Sequence, residues 1–202
     1  MRSSFLFAIL LCASVACHSQ EHGLKEGDIV FQKSMSGQGK FISVATHSPY
    51  THCGMLFLVG GQWQVLEAVE PVKFTPLKEW IARGMEGKYV VKRLKNAQQV
   101  LTPDVLTKMR QEGSTMLKKH YDLFFGWGDD KLYCSELVWK IYKHNTNIEL
   151  GNLQKLKQFD LTNEGVKKAM VERYGNKIPY EENVISPAAI FDSPLLIEVQ
   201  TK

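Results

Sequence analysis

The 202-residue chain is short of several features that would mark other classes of protein. It has no clustered basic stripe: 25 Lys and Arg stand against 21 Asp and Glu, and the lysines are scattered, so a nucleic-acid surface is excluded. Its N-terminal apolar run, Phe5 to Leu11, is shorter than the ~20 residues a membrane-spanning helix needs, and no other segment could span a bilayer. There is no internal repeat, low-complexity tract or linker. His47, His52 and Cys53 are close in sequence but match no closed tetrahedral metal site, because neighbours on a strand point to opposite faces. No metal and no cofactor are expected. Cysteine is scarce, with four in the chain.

What is present begins with a leader. Arg2, the run Phe5–Leu11 and the small residues Ala13-Ser14-Val15-Ala16 form the charged, apolar and cleavage regions of a signal peptide over 1–16. A single domain is then expected over 17–202, exported to the periplasm or secreted. Cys17, directly after Ala16, opens a second processing route, acylation as a lipoprotein anchored at Cys17. Cleavage removes Arg2 alone among the charges, leaving 24 Lys and Arg against 21 Asp and Glu, a net of +3. Of the cysteines, Cys17, Cys53 and Cys134 remain. An odd count in an oxidising compartment suggests a thiol kept free for a reason.

Hydrophobic periodicity and turn residues divide the rest. Asp28–Gln32 reads as a short strand entered through Gly27, and Gln38–Thr46 as a short helix. Thr51–Val59 is apolar on both faces and reads as a central strand. Gly60-Gly61 is a hairpin turn leading to a return strand over Trp63–Val69. Pro76–Arg83 reads as a helix stopped by Gly84, Lys88–Leu94 as a strand, and Thr102 caps a long helix running from Pro103 to about Lys119. A helix spans Tyr133–Lys143 with Leu137, Val138 and Ile141 at helical spacing. Another lies near Asn163–Tyr174, with a turn at Ser186-Pro187 and an apolar tail over Leu195–Val199. The class is α+β with a mainly antiparallel sheet.

Cys134 carries the chemistry. It sits where the turn-rich run Gly126, Gly128, Asp129, Asp130 gives way to an apolar helix, and amide dipoles at a helix start stabilise a thiolate. A cysteine hydrolase also needs a base, a group that orients the base and donors for an oxyanion. Of six histidines, His18 and His22 lie in the N-terminal tail, His120 and His144 near helix ends, and His47 before Ser48-Pro49. His52 begins the most apolar strand, where a buried imidazole requires hydrogen-bond partners. Alternation predicts that if His52 faces Cys134, Cys53 faces away, which also argues against a Cys53–Cys134 disulfide. Glu67 shares a face with Trp63, Val65 and Val69. A carboxylate in that row needs a partner, and the hairpin can bring it to His52. Glu70 and Glu79 compete from turn and helix-surface positions. The Cys134 amide is a natural oxyanion donor. Tyr121, before the loop to Cys134, could add a hydroxyl, with Tyr50 and Tyr133 as alternatives.

The set Gly27-Asp28-Ile29-Val30-Phe31, Tyr50-Thr51-His52-Cys53-Gly54-Met55, Leu66-Glu67-Ala68-Val69 and Tyr133-Cys134-Ser135-Glu136-Leu137-Val138 resembles the YiiX/YaeF-type permuted papain-like amidases of the NlpC/P60 superfamily (peptidase family C92). The likeness extends to Phe74-Thr75-Pro76-Leu77 and to Ser186-Pro187. It implies a circularly permuted papain-like fold, with the antiparallel sheet packed on the nucleophile's helix and the histidine preceding the cysteine in the chain. It further implies a Cys134 nucleophile, a His52 base and a Glu67 orienter. Tyr121 resembles the superfamily tyrosine upstream of the nucleophile. The expected substrate is a small lipid-like N-acyl amide or a cell-envelope peptide. The alternative is a non-catalytic protein that holds an acyl lipid or peptide in the same pocket.

Overall fold

The computed structural model describes residues 23–202. The expected signal peptide, Cys17, His18 and His22 lie outside the described residues. Among the described residues ten strands are formed: β1 (Ile29–Gln32), β2 (His52–Val59), β3 (Gln62–Glu67), β4 (Lys73–Pro76), β5 (Val90–Leu94), β6 (His120–Tyr121), β7 (Lys131–Leu132), β8 (Gln154–Lys155), β9 (Asn183–Val184) and β10 (Leu196–Thr201). The helices are α1 (Gly37–Thr46), α2 (Leu77–Ala82), α3 (Ala97–Val100), α4 (Pro103–Met116), α5 (Cys134–Thr146), α6 (Glu164–Tyr174) and α7 (Pro187–Phe191). Six strands build one antiparallel sheet in the order β10-β5-β1-β2-β3-β4, so β2 is central as its two-faced apolarity predicts.

The sheet separates two cores. Ile29 and Phe31 of β1, Cys53, Met55 and Phe57 of β2 and Leu66 of β3 pack with Leu137, Val138 and Ile141 of α5 and Met109 of α4. The other face carries Val30, Leu56 and Val65, covered by Leu77 and Trp80 of α2. The alternation along β1 and β2 is thus the partition between the two cores.

Local signals fix the ends of the elements. Gly60 and Gly61 both have positive φ, 59° and 78°, as the two-residue turn between β2 and β3 demands. Ser36 caps α1 by accepting from the Gly39 amide, and His47 ends it in the left-handed region. Thr102 caps α4 and Pro103 opens it. That helix stops at Met116, short of the expected Lys119, because Leu117 leaves helical geometry and the next residues pair with Val72: Lys118 N–H donates to Val72 O, and Val72 N–H to Lys119 O. His120 consequently lies in β6 rather than at a helix end.

Two further differences have physical causes. Lys73–Pro76, read partly as helix, pairs with β3, and the helix begins only at Leu77. The apolar tail becomes β10, pairing with β5 at the sheet's edge. No periodicity in either segment distinguishes these outcomes, since the pairing partner is remote in sequence.

α5 is buried nearly all round, from Cys134 to Tyr142. Its two charged core residues, Glu136 and Lys140, pair with each other one turn apart at 2.8 Å. Lys140 also donates to Gly128 O and Asp129, which ties the turn preceding Cys134 to the helix.

Candidate active site

Glu67 ends β3 fully buried, beyond the last apolar residues of its row. Three groups satisfy it. His52 Nε2 lies 2.6 Å from Oε2, Thr75 Oγ1 donates to Oε1 at 2.6 Å, and Arg83 from the end of α2 donates to Oε1 as well. Burial alone would raise this carboxyl. The hydrogen bond and charge of His52, with Thr75 and Arg83, outweigh burial and hold it below the usual carboxylate range. Behind the imidazole, the Trp80 ring is stacked at a centroid distance of 6.0 Å. With Nε2 engaged by Glu67, Nδ1 is the nitrogen left for a second partner.

That partner is Cys134, the first residue of α5, 2% exposed. Burial would depress the basicity of His52, but its hydrogen bonds to Cys134 and Glu67 and their negative charges prevail, raising its pKa from 6.5 to about 10. Cys134 shifts the other way. A hydrogen bond from the Cys53 thiol, followed by the hydrogen bond and charge of His52 and by the Cys53 main-chain amide, overcomes burial and takes its thiol well below 9.0. Both shifts favour a thiolate–imidazolium pair.

Cys53 corrects the alternation argument. It faces the α5 side of the sheet and touches Cys134, while His52 reaches the same sulfur from the end of β2. β2–β3 pairing begins only at Met55↔Leu66, so the chain at 52–53 lies beyond the last β3 partner and its amide is available to Cys134. Both cysteines are free. Burial and the neighbouring Cys134 push the Cys53 thiol up, so it stays protonated and donates.

Tyr121, at the end of β6, places its hydroxyl against Cys134, and Gln38 of α1 donates to that hydroxyl at 3.4 Å. Burial and the charge on Cys134 keep the phenol protonated. The other tyrosines are occupied elsewhere. Tyr133 Oη accepts from the Ile185 amide at 3.1 Å, and Tyr50 stacks on Phe191. His47 pairs with Asp160, His120 with Glu70 and His144 with Glu112, so none of these joins the cluster. Thr75, Arg83, Trp80, Gln38 and Cys53 were not anticipated at the site. The first four come from segments whose approach depends on sheet register or helix placement, for which local sequence carries no signal.

Two depressions meet at this cluster. One is apolar, lined by Phe41, Ile42 and Ala45 of α1, Val166 and Met170 of α6, Leu156, Phe159 and Leu161, with Cys134 in its wall. The other is a more polar cleft, in which His52, Arg83, Glu70, Gln32 and Thr51 stand beside Ala68, Val69 and Leu123. Gln38, Ile42 and Tyr121 line both and form the ridge between them.

The model of the permuted papain-like amidase enzymes, YaeF/YiiX, C92 family, matches residues 23–200. The chain belongs to this family. It is accordingly a papain-like cysteine hydrolase by membership, and the α+β permuted fold follows with it. It is 49% identical over 173 residues to the uncharacterized protein YiiX of Escherichia coli strain K12, covering 86% of this chain and 84% of that protein. It also matches the crystal structure titled metalloprotein yiiX from Escherichia coli O157:H7, with a TM-score of 0.84 and 48% identity over 88% of this chain and 97% of that one. That title concerns the relative. Among the described residues of this C92 chain, no three His, Cys, Asp or Glu are grouped so that they could hold a metal ion. No described helix is long and apolar enough to cross a membrane.

Proposed function

We propose that the protein hydrolyses an amide or ester of a lipid-like acyl group by way of an acyl-enzyme on Cys134. The observation that carries this reading is the contact of Cys134 with His52, itself fixed by Glu67, in the wall of an apolar pocket. The Cys134 thiolate attacks the carbonyl carbon, and the oxygen gains the negative charge of the tetrahedral intermediate. The Cys134 amide at the start of α5 and the Tyr121 hydroxyl donate to that oxygen. His52, as imidazolium, gives its Nδ1 proton to the leaving amine or alcohol as the carbon–heteroatom bond breaks. A water then attacks the thioester, His52 accepts its proton, and the acid departs with the thiolate restored. Glu67 orients the imidazole throughout and balances its positive charge.

The apolar pocket suits an acyl chain, and the polar cleft on the His52 side suits the leaving group. An envelope peptide has polar groups throughout and would leave the apolar lining unmatched, so the N-acyl lipid is preferred. The leader pattern over 1–16 supports action in the periplasm or outside the cell, with Cys17 as the residue to acylate if the leader is a lipoprotein signal.

A hydrolysis screen tests the reading, setting fatty amides and N-acyl amino acids against muropeptides, with Cys134→Ala as the blank. Turnover of acyl amides by the parent protein alone is expected. Turnover restricted to muropeptides would reject the substrate class. Tightly held lipid extracted from the purified protein, with no turnover of any substrate, would favour the binding-protein alternative.

A further inference from the structure

The cleft beside His52 has one arginine or lysine among its described lining residues, Arg83. It directly follows α2, and its main chain is fixed there: Gly84 bridges to Ser34, and the Met85 amide donates to Lys33 O at 2.9 Å. One Nη of Arg83 donates to Glu67 Oε1, and the other oxygen of that carboxylate holds His52 at 2.6 Å. The guanidinium therefore stands one carboxylate away from the imidazole. It has five N–H donors in a planar fork, and Glu67 is its partner through one nitrogen. The side chain is 43% exposed and lines the cleft, so a ligand can reach the remaining donors.

The wall beside Arg83 is also short of partners. Gln32 stands opposite His52 in the β1–β2 register, hence on the same face of the sheet. It is 3% exposed, and its Oε1 has no hydrogen-bond partner. The carboxamide lies against Gly84, where a Cβ would come within 2.3 Å of Oε1. The acid of the cleft is taken: Glu70 has His120 Nδ1 at 2.7 Å and accepts from the Tyr121 amide at 2.9 Å. An anion entering the cleft thus meets donors on Arg83 that no other carboxylate of the cleft engages.

We propose that Arg83 holds an anionic group on the leaving amine, and that the preferred substrates are N-acyl ω-amino acids, whose carboxylate stands well beyond the scissile nitrogen. In the reaction that nitrogen lies at His52 Nδ1, whereas Arg83 lies past Nε2. Between them stand the width of the imidazole ring, the 2.6 Å hydrogen bond and the Glu67 carboxylate. A carboxylate on the carbon next to the nitrogen stops short of that span. The carboxylate of a 4-aminobutyrate moiety, two methylenes further on, crosses it, and the guanidinium fork receives it through paired N–H donors. This rests on the reading that gives the leaving group to the cleft, and it adds a requirement for charge at a set distance.

Binding separates the proposal from turnover. In Cys134→Ala protein, titration calorimetry compares N-lauroyl-4-aminobutyrate with its primary carboxamide, both below their micellar concentrations. The acid should bind about 10-fold more tightly, the low end for a charge-assisted pair because Arg83 is nearly half exposed. Adding Arg83→Met should bring that ratio close to one. Arg83→Lys, which keeps the charge without the fork, should retain part of it and guards against a folding defect in the methionine variant. Thr75→Val removes a different donor from the same Glu67 oxygen, so it should leave the ratio unchanged and separates an anion site from mere support of Glu67. N-lauroylglycine and its carboxamide should show a smaller ratio. Equal binding of acid and carboxamide, binding of neither, a ratio that survives Arg83→Met or is lost in Thr75→Val, or an equal ratio for the glycine pair would overturn the proposal. The expected ratios in a protein that hydrolyses no acyl amide with Cys134 intact would instead overturn the hydrolase reading and leave the anion site standing.

Discussion

The charge state of Cys134 is the property on which the chemistry turns, and replacing His52 with Ala perturbs it most directly. A thiol with the ordinary pKa of 9.0 is only about 1% ionised two units lower, at pH 7. In the parent protein the Cys53 thiol and the imidazolium bring Cys134 well below that value, which favours the thiolate. A hydrogen bond to a charged partner is worth about 1.5–3 kcal/mol, and each pKa unit corresponds to about 1.4 kcal/mol. Loss of His52 should therefore raise the Cys134 pKa, and burial, no longer opposed by the imidazolium, adds to the rise. The assay is the ultraviolet absorbance of the thiolate against pH, with the Cys134→Ser curve subtracted to remove other thiols. Alkylation rate at a single pH is a poorer readout, because a thiolate of lower pKa is intrinsically less nucleophilic and the two effects offset. The parent difference curve should be flat from neutral pH through 9.0, with its step on the acid side, and in His52→Ala the step should move into the alkaline range. A parent step at or above 9.0, or a His52→Ala protein still fully ionised at pH 7, would refute the ion pair. The parent's hydrolytic profile should correspondingly lose activity on the alkaline side near pH 10, where His52 gives up its proton.

Other substitutions probe the supports of this pair. Glu67→Gln removes the negative charge that helps hold His52 protonated; the alkaline limb should fall below pH 10 and kcat should drop by at least about 10²-fold. Because the Glu67 pKa is lowered on folding, its contribution to stability is present above its ordinary value of 4.5 and lost as pH falls through the folded value. The acid-side loss of stability in denaturant titrations should thus be shallower in Glu67→Gln. Tyr121→Phe should lower kcat about 10²-fold with little change in the Cys134 difference curve, as expected of an oxyanion donor; an unchanged kcat would remove Tyr121 from that role. Gly54→Ala places a Cβ 2.4 Å from Val65 Cγ1 and 2.8 Å from Leu66 O, so β2 must move off β3. Urea denaturation should show a loss of about 1–3 kcal/mol or more.

Much of this arrangement was legible in residue patterns. The Gly60-Gly61 turn and the alternation of Trp63, Val65 and Glu67 placed the carboxylate across a hairpin from His52, and the two side chains lie 2.6 Å apart. Cys134 at the head of an amphipathic run was legible because helix starts have local signals in turn residues and spacing. Arg83 and Thr75 were not. Arg83 follows a six-residue helix that presents no distinct stripe, and Thr75 reaches Glu67 only because Lys73–Pro76 pairs as an edge strand. Edge pairing of this kind is decided by what the neighbouring strand leaves open, which no window of sequence reports. The early end of α4 at Met116 has the same origin, since the competitor for Lys118 and Lys119 is Val72.

Cys53 shows where the period-two rule stops being sufficient. Alternation correctly assigns Cys53 and His52 to opposite faces, and the two cores on either side of β2 follow it. What fails is the step from opposite faces to different neighbours. At the first residue of a strand there is no further chain on one side, so a long side chain such as His52 can reach around the sheet's end to a group lying over the other face. The helix start at Cys134 sits at that end, which lets the imidazole and the Cys53 thiol approach one sulfur from different directions. The consequence is chemical. Of the side chains that donate to the thiolate, the His52 imidazolium is cationic and the Cys53 thiol neutral, and of these only the cationic one is removed by raising the pH to about 10. Cys53→Ala should therefore shift the acid-side step of the Cys134 curve upward while leaving the His52 limb in place. If the acid step does not move, the Cys53 thiol contributes nothing to the nucleophile and is only part of the core.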